Sequence, residues 1–236
     1  MGQNGAILLP LYLLIDVSEA MAGEGMLDAA NAIVPAVADT LARNPALADE
    51  VRFGLIDFAG TARVRLPLCD VRQRTLDPPT LVVRAGMSYV AAFTLLRREI
   101  ETDVARLKAN GHAVRRPVVW FVSGAEPTDD PVERRVAFER LVAGKVYPNL
   151  IPCGIGTARV DTLAGLVHPA AGATRMSMYL PESGFQPAKV LTGITELIIS
   201  SMIRSGYGLG HGGAVVLPET GDLPPGTARY EPGDFV

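Results

Sequence analysis

"LPLYLLIDVSEAMAGEG", residues 9–25, decides how the rest of the chain is read. An apolar run climbs to Asp16, passes Ser18 and breaks into small residues. A near-continuous run of this kind is the pattern of a strand covered on both faces, as in a parallel sheet between helices. Pro10 has no N–H to give a ladder, so regular pairing is expected to begin after it. A strand ending in Asp-x-Ser sets a carboxylate and a hydroxyl side by side, which is a start on a shell for a divalent cation. The next position at that spacing is Ala20, whose side chain has no oxygen.

Beyond Gly25 the apolar period changes from a run to threes and fours. Met26, Ala29/Ala30, Ile33/Val34, Val37 and Leu41 give one helical face, with Pro35 expected to kink it or weaken its middle turn. In "VRFGLIDFAGTARVRLPLCDV" two strand-like runs flank the turn Ala59-Gly60-Thr61, and Arg63 and Arg65 alternate with Val64 and Leu66. That alternation predicts a β-hairpin whose second strand has a wet face at a sheet edge. A long helix is predicted from about Ser88 to Asn110, buried along Phe93, Leu96, Ile100, Val104 and Leu107. "RPVVWFVSG" is a further buried strand. After it, Asp130 as N-cap, Pro131 at the first helical position and Glu133 as capping-box acid start another helix. "VYPNLIPCGIG" and "TRMSMYL" read as strands, "TARVDTLAGLVHP" and "PAKVLTGITELIISSMIRS" as helices.

The order predicts an α/β fold: a doubly wound, mostly parallel six-stranded sheet with helices on both faces and one antiparallel edge strand. Residues 1–205 form the body, and 206–236, rich in Gly and Pro, read as an extended tail with "AVVLP" pinned to it. In the last helix Val190, Ile194, Leu197, Ile198 and Met202 make one stripe, with Leu191, Ile199 and Ile203 beside it. That is more apolar surface than one buried face needs, so a partner or the tail should cover the rest.

The bulk numbers agree with a sizeable core. The chain has 236 residues, 48% of them hydrophobic, and a net charge of −3 with the charges intermixed. No basic run marks a nucleic-acid or membrane surface. Cys69 and Cys153 stand far apart, match no metal-ligand spacing and read as small buried thiols. The first apolar run is too short for a membrane span and lacks a basic flank, and "MGQNGA" has Ala6 where a myristoylation site needs Ser or Thr. These features set the expectation of a cytoplasmic protein; they leave the oligomeric state open.

In a sheet of this kind the working crevice lies beyond the C-terminal ends of the strands. Three loops belong there: "DVSEA", "RAGMSY" and "SGAEPTDD". With "YLLIDVSEAM", "VRFGLIDFAGTARVRLPL", "RAGMSYVAAFTLL" and "VVWFVSGAEPTDD" in order, the chain resembles the von Willebrand factor A family over about residues 8–205. In particular it resembles the stand-alone bacterial TerY-like proteins associated with tellurite resistance and stress. The family builds a metal-ion-dependent adhesion site from these loops. The resemblance implies Mg²⁺ held by an Asp-x-Ser-x-Ser loop, a threonine and a second aspartate, with a vacancy for a partner's carboxylate.

Carried over position by position, Asp16 and Ser18 remain. Ala20 stands at the second serine, Met87 at the threonine with Ser88 beside it, and Gly124 at the second aspartate. The expectation is therefore a degenerate site with no cofactor, Asp16 and Ser18 being the residual metal candidates for weak Mg²⁺ binding. Asp16 should then be held by loop N–H groups and Ser18, since a bare buried carboxylate is costly, and Asp129 and Asp130 should serve as helix caps. The expected function is non-catalytic protein–protein interaction in a bacterial stress or signalling assembly. The partner face would gather Asp16, Ser18, Glu19, Met21, Met87, Ser88, Tyr89 and Glu126. Exposed Met and Tyr would suit an adaptable surface; the alternative is that Met21 and Met87 plug the vacated ion cavity.

Enzymatic readings fare worse. The first loop lacks the Gly-x-Gly-x-x-Gly of a dinucleotide site. A phosphate-handling hydrolase using Asp16 would want a second acid where Ser18 stands. No Gly-x-Ser-x-Gly elbow occurs, and His112, His168 and His211 all sit in loops.

Overall fold

The computed structural model describes residues 5–23, 25–73, 79–172, 175–209, 215–232 and 234. Strand β1 (Ile7–Asp16) carries the opening apolar run and is buried from Leu8 onward. After a 3-10 turn at Glu19–Ala22 come α1 (Met26–Arg43), α2 (Pro45–Glu50), and the hairpin β2 (Val51–Phe58) and β3 (Ala62–Cys69). There follow α3 (Tyr89–Ala109), β4 (Ala113–Val114), β5 (Val118–Ser123), α4 (Pro131–Val142), β6 (Asn149–Gly154), α5 (Val160–Ala164), β7 (Met178–Pro181), α6 (Pro187–Leu209) and β8 (Thr227–Tyr230). The sheet runs β3-β2-β1-β5-β6-β7-β8, with β4 paired to the start of β1. β1, β2, β5, β6 and β7 are parallel, while β3 and β8 close the two margins antiparallel.

Three expectations change. The described residues form eight strands rather than six, and two margins rather than one are antiparallel. Pro10 does not delay pairing: β1 pairs β2 from Leu9↔Val51. On its other side the ladder passes from β4 at Leu8 to β5 at Leu11, so the missing N–H falls in the gap between them. Pro35, expected to kink or weaken α1, lies inside the helix on its exposed side, where water can satisfy the carbonyl its ring displaces.

The third change concerns the segment read as a tail. Residues 206–209 continue α6, and β8 comes from 227–230; His211 and the rest of 210–214 lie outside the described residues. From 215 the chain runs back along α6. Ser201 Oγ donates to Val216 O (2.9 Å) and Val216 N donates to Ser205 Oγ (3.0 Å). Gly193 lets Pro224 and Thr227 come close, since a Cβ there would stand 3.2 Å from each. Buried Leu217, with Val215 and Leu223, covers the surplus apolar side of α6. The chain itself thus supplies part of the cover, while Ile199 and Ile203 stay half-buried.

α1, α2 and α6 pack on one face of the sheet and α3 with α4 on the other. Ser88 caps α3 by accepting from Ala91 N, and Asp130 caps α4 by accepting from Val132 N and Glu133 N. Between the layers Phe58, Tyr89, Phe93 and Phe121 form a buried aromatic cluster directly beneath the C-terminal ends of the central strands. No helix of the described residues is long and apolar enough to cross a membrane.

Candidate functional site

The C-terminal ends of β1 and β5, the hairpin turn and the segment before α3 converge on one crevice. Val17 N donates to Phe58 O (2.8 Å), and Arg84 N donates to Val17 O (2.7 Å). Ser88 N donates to Ala59 O (2.8 Å), and Gly60 N donates to Ala85 O (3.0 Å). Thr128 gives both its N–H and its hydroxyl to Met87 O, each at 2.8 Å. The three loops singled out in the sequence are therefore joined by backbone bonds. Gly60 and Gly86 permit this: a Cβ on Gly60 would meet Ala85 O at 2.9 Å, and Gly86 has φ +80°.

Asp16 sits at the centre with 0% exposure. Its Oδ1 accepts from Ser18 N (2.6 Å) and its Oδ2 accepts from Gly124 N (2.8 Å). Each carboxylate oxygen thus ties one loop, and the side chain bridges the ends of β1 and β5. Ser18 Oγ lies beside it, buried and without a hydrogen-bond partner. Burial pushes the Asp16 carboxyl above its ordinary 3.8. The N–H groups of Ser18 and Gly124 and the nearby Ser18 hydroxyl pull the other way, and the charge of Glu19 adds to the rise.

A group whose folded pKa exceeds its unfolded value contributes most stability below the unfolded value and loses it as pH rises through the folded one. Urea unfolding of the parent and Asp16→Asn at several pH values should show this. The parent's advantage should be largest below pH 3.8 and shrink as pH rises through the raised folded value; an advantage that grows with pH would contradict the buried-charge account.

The other expected face residues divide. Met21 (0% exposed), Met87 (3%) and Tyr89 (0%) are buried, which corrects their reading as an exposed contact surface. Met21 turns inward: a Cβ on Gly124 would meet Met21 Sδ at 3.6 Å, Ala20 Cβ at 3.4 Å and Asp16 Oδ2 at 3.2 Å. A thioether and a methyl therefore occupy the space around the carboxylate. Tyr89 OH donates to Ser123 Oγ (2.8 Å), which donates on to Ala125 O (3.1 Å), so its ring and hydroxyl both belong to the interior.

Glu19 stays exposed, its carboxylate accepting from Gly86 N at 3.2 Å. Half-buried Ser88 donates to Asp129 Oδ1 (2.7 Å). Glu126 turns away to the start of α5, where it accepts from Arg159 N (2.8 Å) and Thr162 Oγ1 (2.6 Å).

Asp129 does cap a helix, but it is α3 rather than α4: its Oδ2 accepts from Tyr89 N and Val90 N at 2.5 and 3.0 Å. Sequence reading missed this because Asp129 precedes Asp130, whose role is local. A second missed group is Asp57, buried on β2 beneath Arg84 of the strap before α3. An acid inside an otherwise apolar strand was the available signal. His112 and His168 lie at the opposite end of the sheet, beside the starts of β1 and β6. Cys153 is buried and its thiol is pushed up by desolvation.

A hard divalent cation takes about six oxygens and holds its waters tightly. Around Asp16 both carboxylate oxygens already accept backbone N–H groups, and Ala20, Met87 and Gly124 offer no side-chain oxygen. Ser88 and Asp129 are committed to one another and to α3. Among the described residues no group of three or more His, Cys, Asp or Glu is placed to hold a metal. The donor set does not fit the ion.

The sequence of residues 11–126 matches the family model of the von Willebrand factor type A domain. No curated protein matches the chain. Among solved structures it resembles a von Willebrand factor type A protein from Catenulispora acidiphila: TM-score 0.62, 13% identity, 84% of this chain and 43% of that one. Proximal thread matrix protein 1 of the mussel byssus aligns with TM-score 0.55 and 13% identity over 86% of this chain and 49% of that one. A variant of the PilB minor pilin from Streptococcus sanguinis gives 0.54 and 8% over 89% and 64%. The chain spans less than two thirds of each of these structures. The byssus protein has also been solved with zinc occupying its adhesion-site motif.

Proposed function

We propose that this chain, which carries a von Willebrand factor type A domain, is a non-catalytic protein–protein interaction module that engages its partner without a metal ion. The observation that carries the reading is the Asp16 carboxylate, closed on itself by the N–H groups of Ser18 and Gly124 and packed by Ala20 and Met21. In that arrangement Asp16 performs structurally what a bridging cation performs elsewhere: it joins the loop after β1 to the loop after β5. A nucleophilic role for Asp16 is disfavoured, because neither oxygen can be approached from solvent.

The partner face under this reading is the surface around Glu19, Ser88 and the strap before α3, with Asp16, Ser18, Met21, Met87 and Tyr89 supporting it from within. The resemblance of its motifs to TerY-like proteins supports, as part of this proposal, a role in a bacterial stress or signalling assembly in the cytoplasm. The buried, unpartnered Ser18 hydroxyl is the one feature that favours the second reading, residual Mg²⁺-dependent binding.

Thermal melting across a Mg²⁺ or Mn²⁺ titration separates the two. A one-site ligand at about 100-fold its Kd adds about 2.7 kcal/mol, which for a chain of this size raises Tm by roughly 5–10 °C. The expected result is no shift up to millimolar metal; a saturable shift supports the metal-dependent reading instead. A pull-down from the native host, with EDTA and again with Mg²⁺, should retain the same partner in both.

A further inference from the structure

Asp57 lies on β2, one strand in from the sheet margin, directly across the hairpin from Arg63 on β3. Its side chain is almost fully buried, yet three arginines surround it. Arg84 Nη2 pairs with Oδ1, and Arg65 Nε stands 3.5 Å from Oδ2. Arg63 is exposed and makes no hydrogen bond or ion pair among the described residues, acting on Asp57 only through its field. Three arginines against one carboxylate leave a surplus of two positive charges among these four side chains.

The surrounding backbone is held firmly. Arg84 Nη1 donates to Thr61 O (3.1 Å) and Oγ1 (2.8 Å), and Arg65 Nη2 donates to Thr80 O (2.8 Å). Asn31 of α1 clamps the strap by accepting from Leu81 N (2.7 Å) and donating to Leu81 O (3.3 Å). Between these anchors Val82 is turned outward and 52% exposed. A fixed apolar side chain on the strap that Arg65 and Arg84 anchor, together with the unpaired guanidinium of Arg63, is a pre-ordered contact surface with little entropy left to lose on binding.

We propose that this strap-and-hairpin patch docks an acidic segment of a partner protein, a carboxylate on Arg63 and an apolar side chain against Val82. Arg65 and Arg84 supply field rather than contact, since their guanidinium groups are already engaged inside the fold. Guanidinium groups match carboxylates through paired N–H bonds. Nucleic acid is the poorer occupant, because the chain carries a net −3 and the patch presents no aromatic side chain for base stacking. The inference rests on the interaction-module reading and names the chemistry of its partner.

The test is fluorescence anisotropy of the full chain with a labelled peptide of alternating glutamate and leucine. Saturable binding that weakens with salt is expected, and Arg63→Glu should lower affinity about tenfold or more. Val82→Ser should weaken it as well. The same charge change at exposed Arg140, on α4, should have little effect. Circular dichroism and melting of each variant confirm that Arg63→Glu leaves the fold intact. No saturable binding, equal losses in Arg63→Glu and Arg140→Glu, or equally tight binding of a single-stranded oligonucleotide of matched charge would overturn the proposal. If the host partner is retained by the parent and equally by Arg63→Glu, the patch inference fails while the module reading stands. If the parent retains nothing, the module reading fails on its own account.

Discussion

Asp16→Ala should lower the free energy of unfolding by about 4 kcal/mol, a large share of the 5–15 kcal/mol typical of a folded domain. The change removes the acceptor for two N–H groups at once. Those of Ser18 and Gly124 would face a small apolar space lined by Ala20 and Met21, where each unpaired donor costs about 1–3 kcal/mol. Relief from burying the carboxylate offsets part of this, and the methyl left behind fills little of the gap. The measurement is urea unfolding: the midpoint should fall with the m-value unchanged. Asp130→Ala, at an exposed cap of α4, serves as the comparison and should cost about 1 kcal/mol. Equal losses at the two positions would mean that Asp16 is not a bridge between loops.

The second large effect comes from restoring the missing oxygens. In the triple variant Ala20→Ser, Met87→Thr and Gly124→Asp, a second carboxylate enters within reach of the first, its Cβ 3.2 Å from Asp16 Oδ2. Two like charges about 4 Å apart cost about 4 kcal/mol at the effective dielectric of a partly buried site. The Gly124 N–H bond to Asp16 is also strained, and Met87→Thr vacates core volume. Without metal the variant should melt well below the parent. With Mg²⁺ at about 100-fold its Kd it should recover about 2.7 kcal/mol, while the parent stays flat. If parent and variant respond alike to the ion, the three substitutions are not what separates this crevice from a metal site.

Much of the fold could be read from local pattern. The apolar run into Asp16, the stripe from Phe93 to Leu107 and the Asp130-Pro131-Glu133 start of α4 are each short-range signals. Each depends on one element being buried or capped in one way, so periodicity and capping chemistry are enough. The hairpin turn at Ala59-Gly60-Thr61 is of the same kind.

What escaped was set by partners far along the chain. β8 is four residues long and becomes a strand only because β7 offers it a margin. Short, Gly/Pro-flanked sequence carries no period by which to recognise it. Loop side chains have no period either, so nothing in "SEAMAG" tells whether Met21 faces water or Asp16. The oxygen count at the crevice was legible; what takes the place of the missing ligands was not. Asp129 reaches across to α3, and Arg84 finds Asp57 on another element, at separations where single-sequence reasoning has no grip.

The strap of residues 215–224 and the strand at 227–230 also constrain how the protein is made. During synthesis the central strands emerge well before the segment that covers them, and α6 shortly before it. Until it clears the ribosome, the outer side of α6 stays bare and the β7 margin offers unpaired amides and carbonyls to whatever is near. The nascent chain is therefore most vulnerable to wrong association just before its last pairing forms, and a chaperone that shields a sheet margin would matter most in that interval.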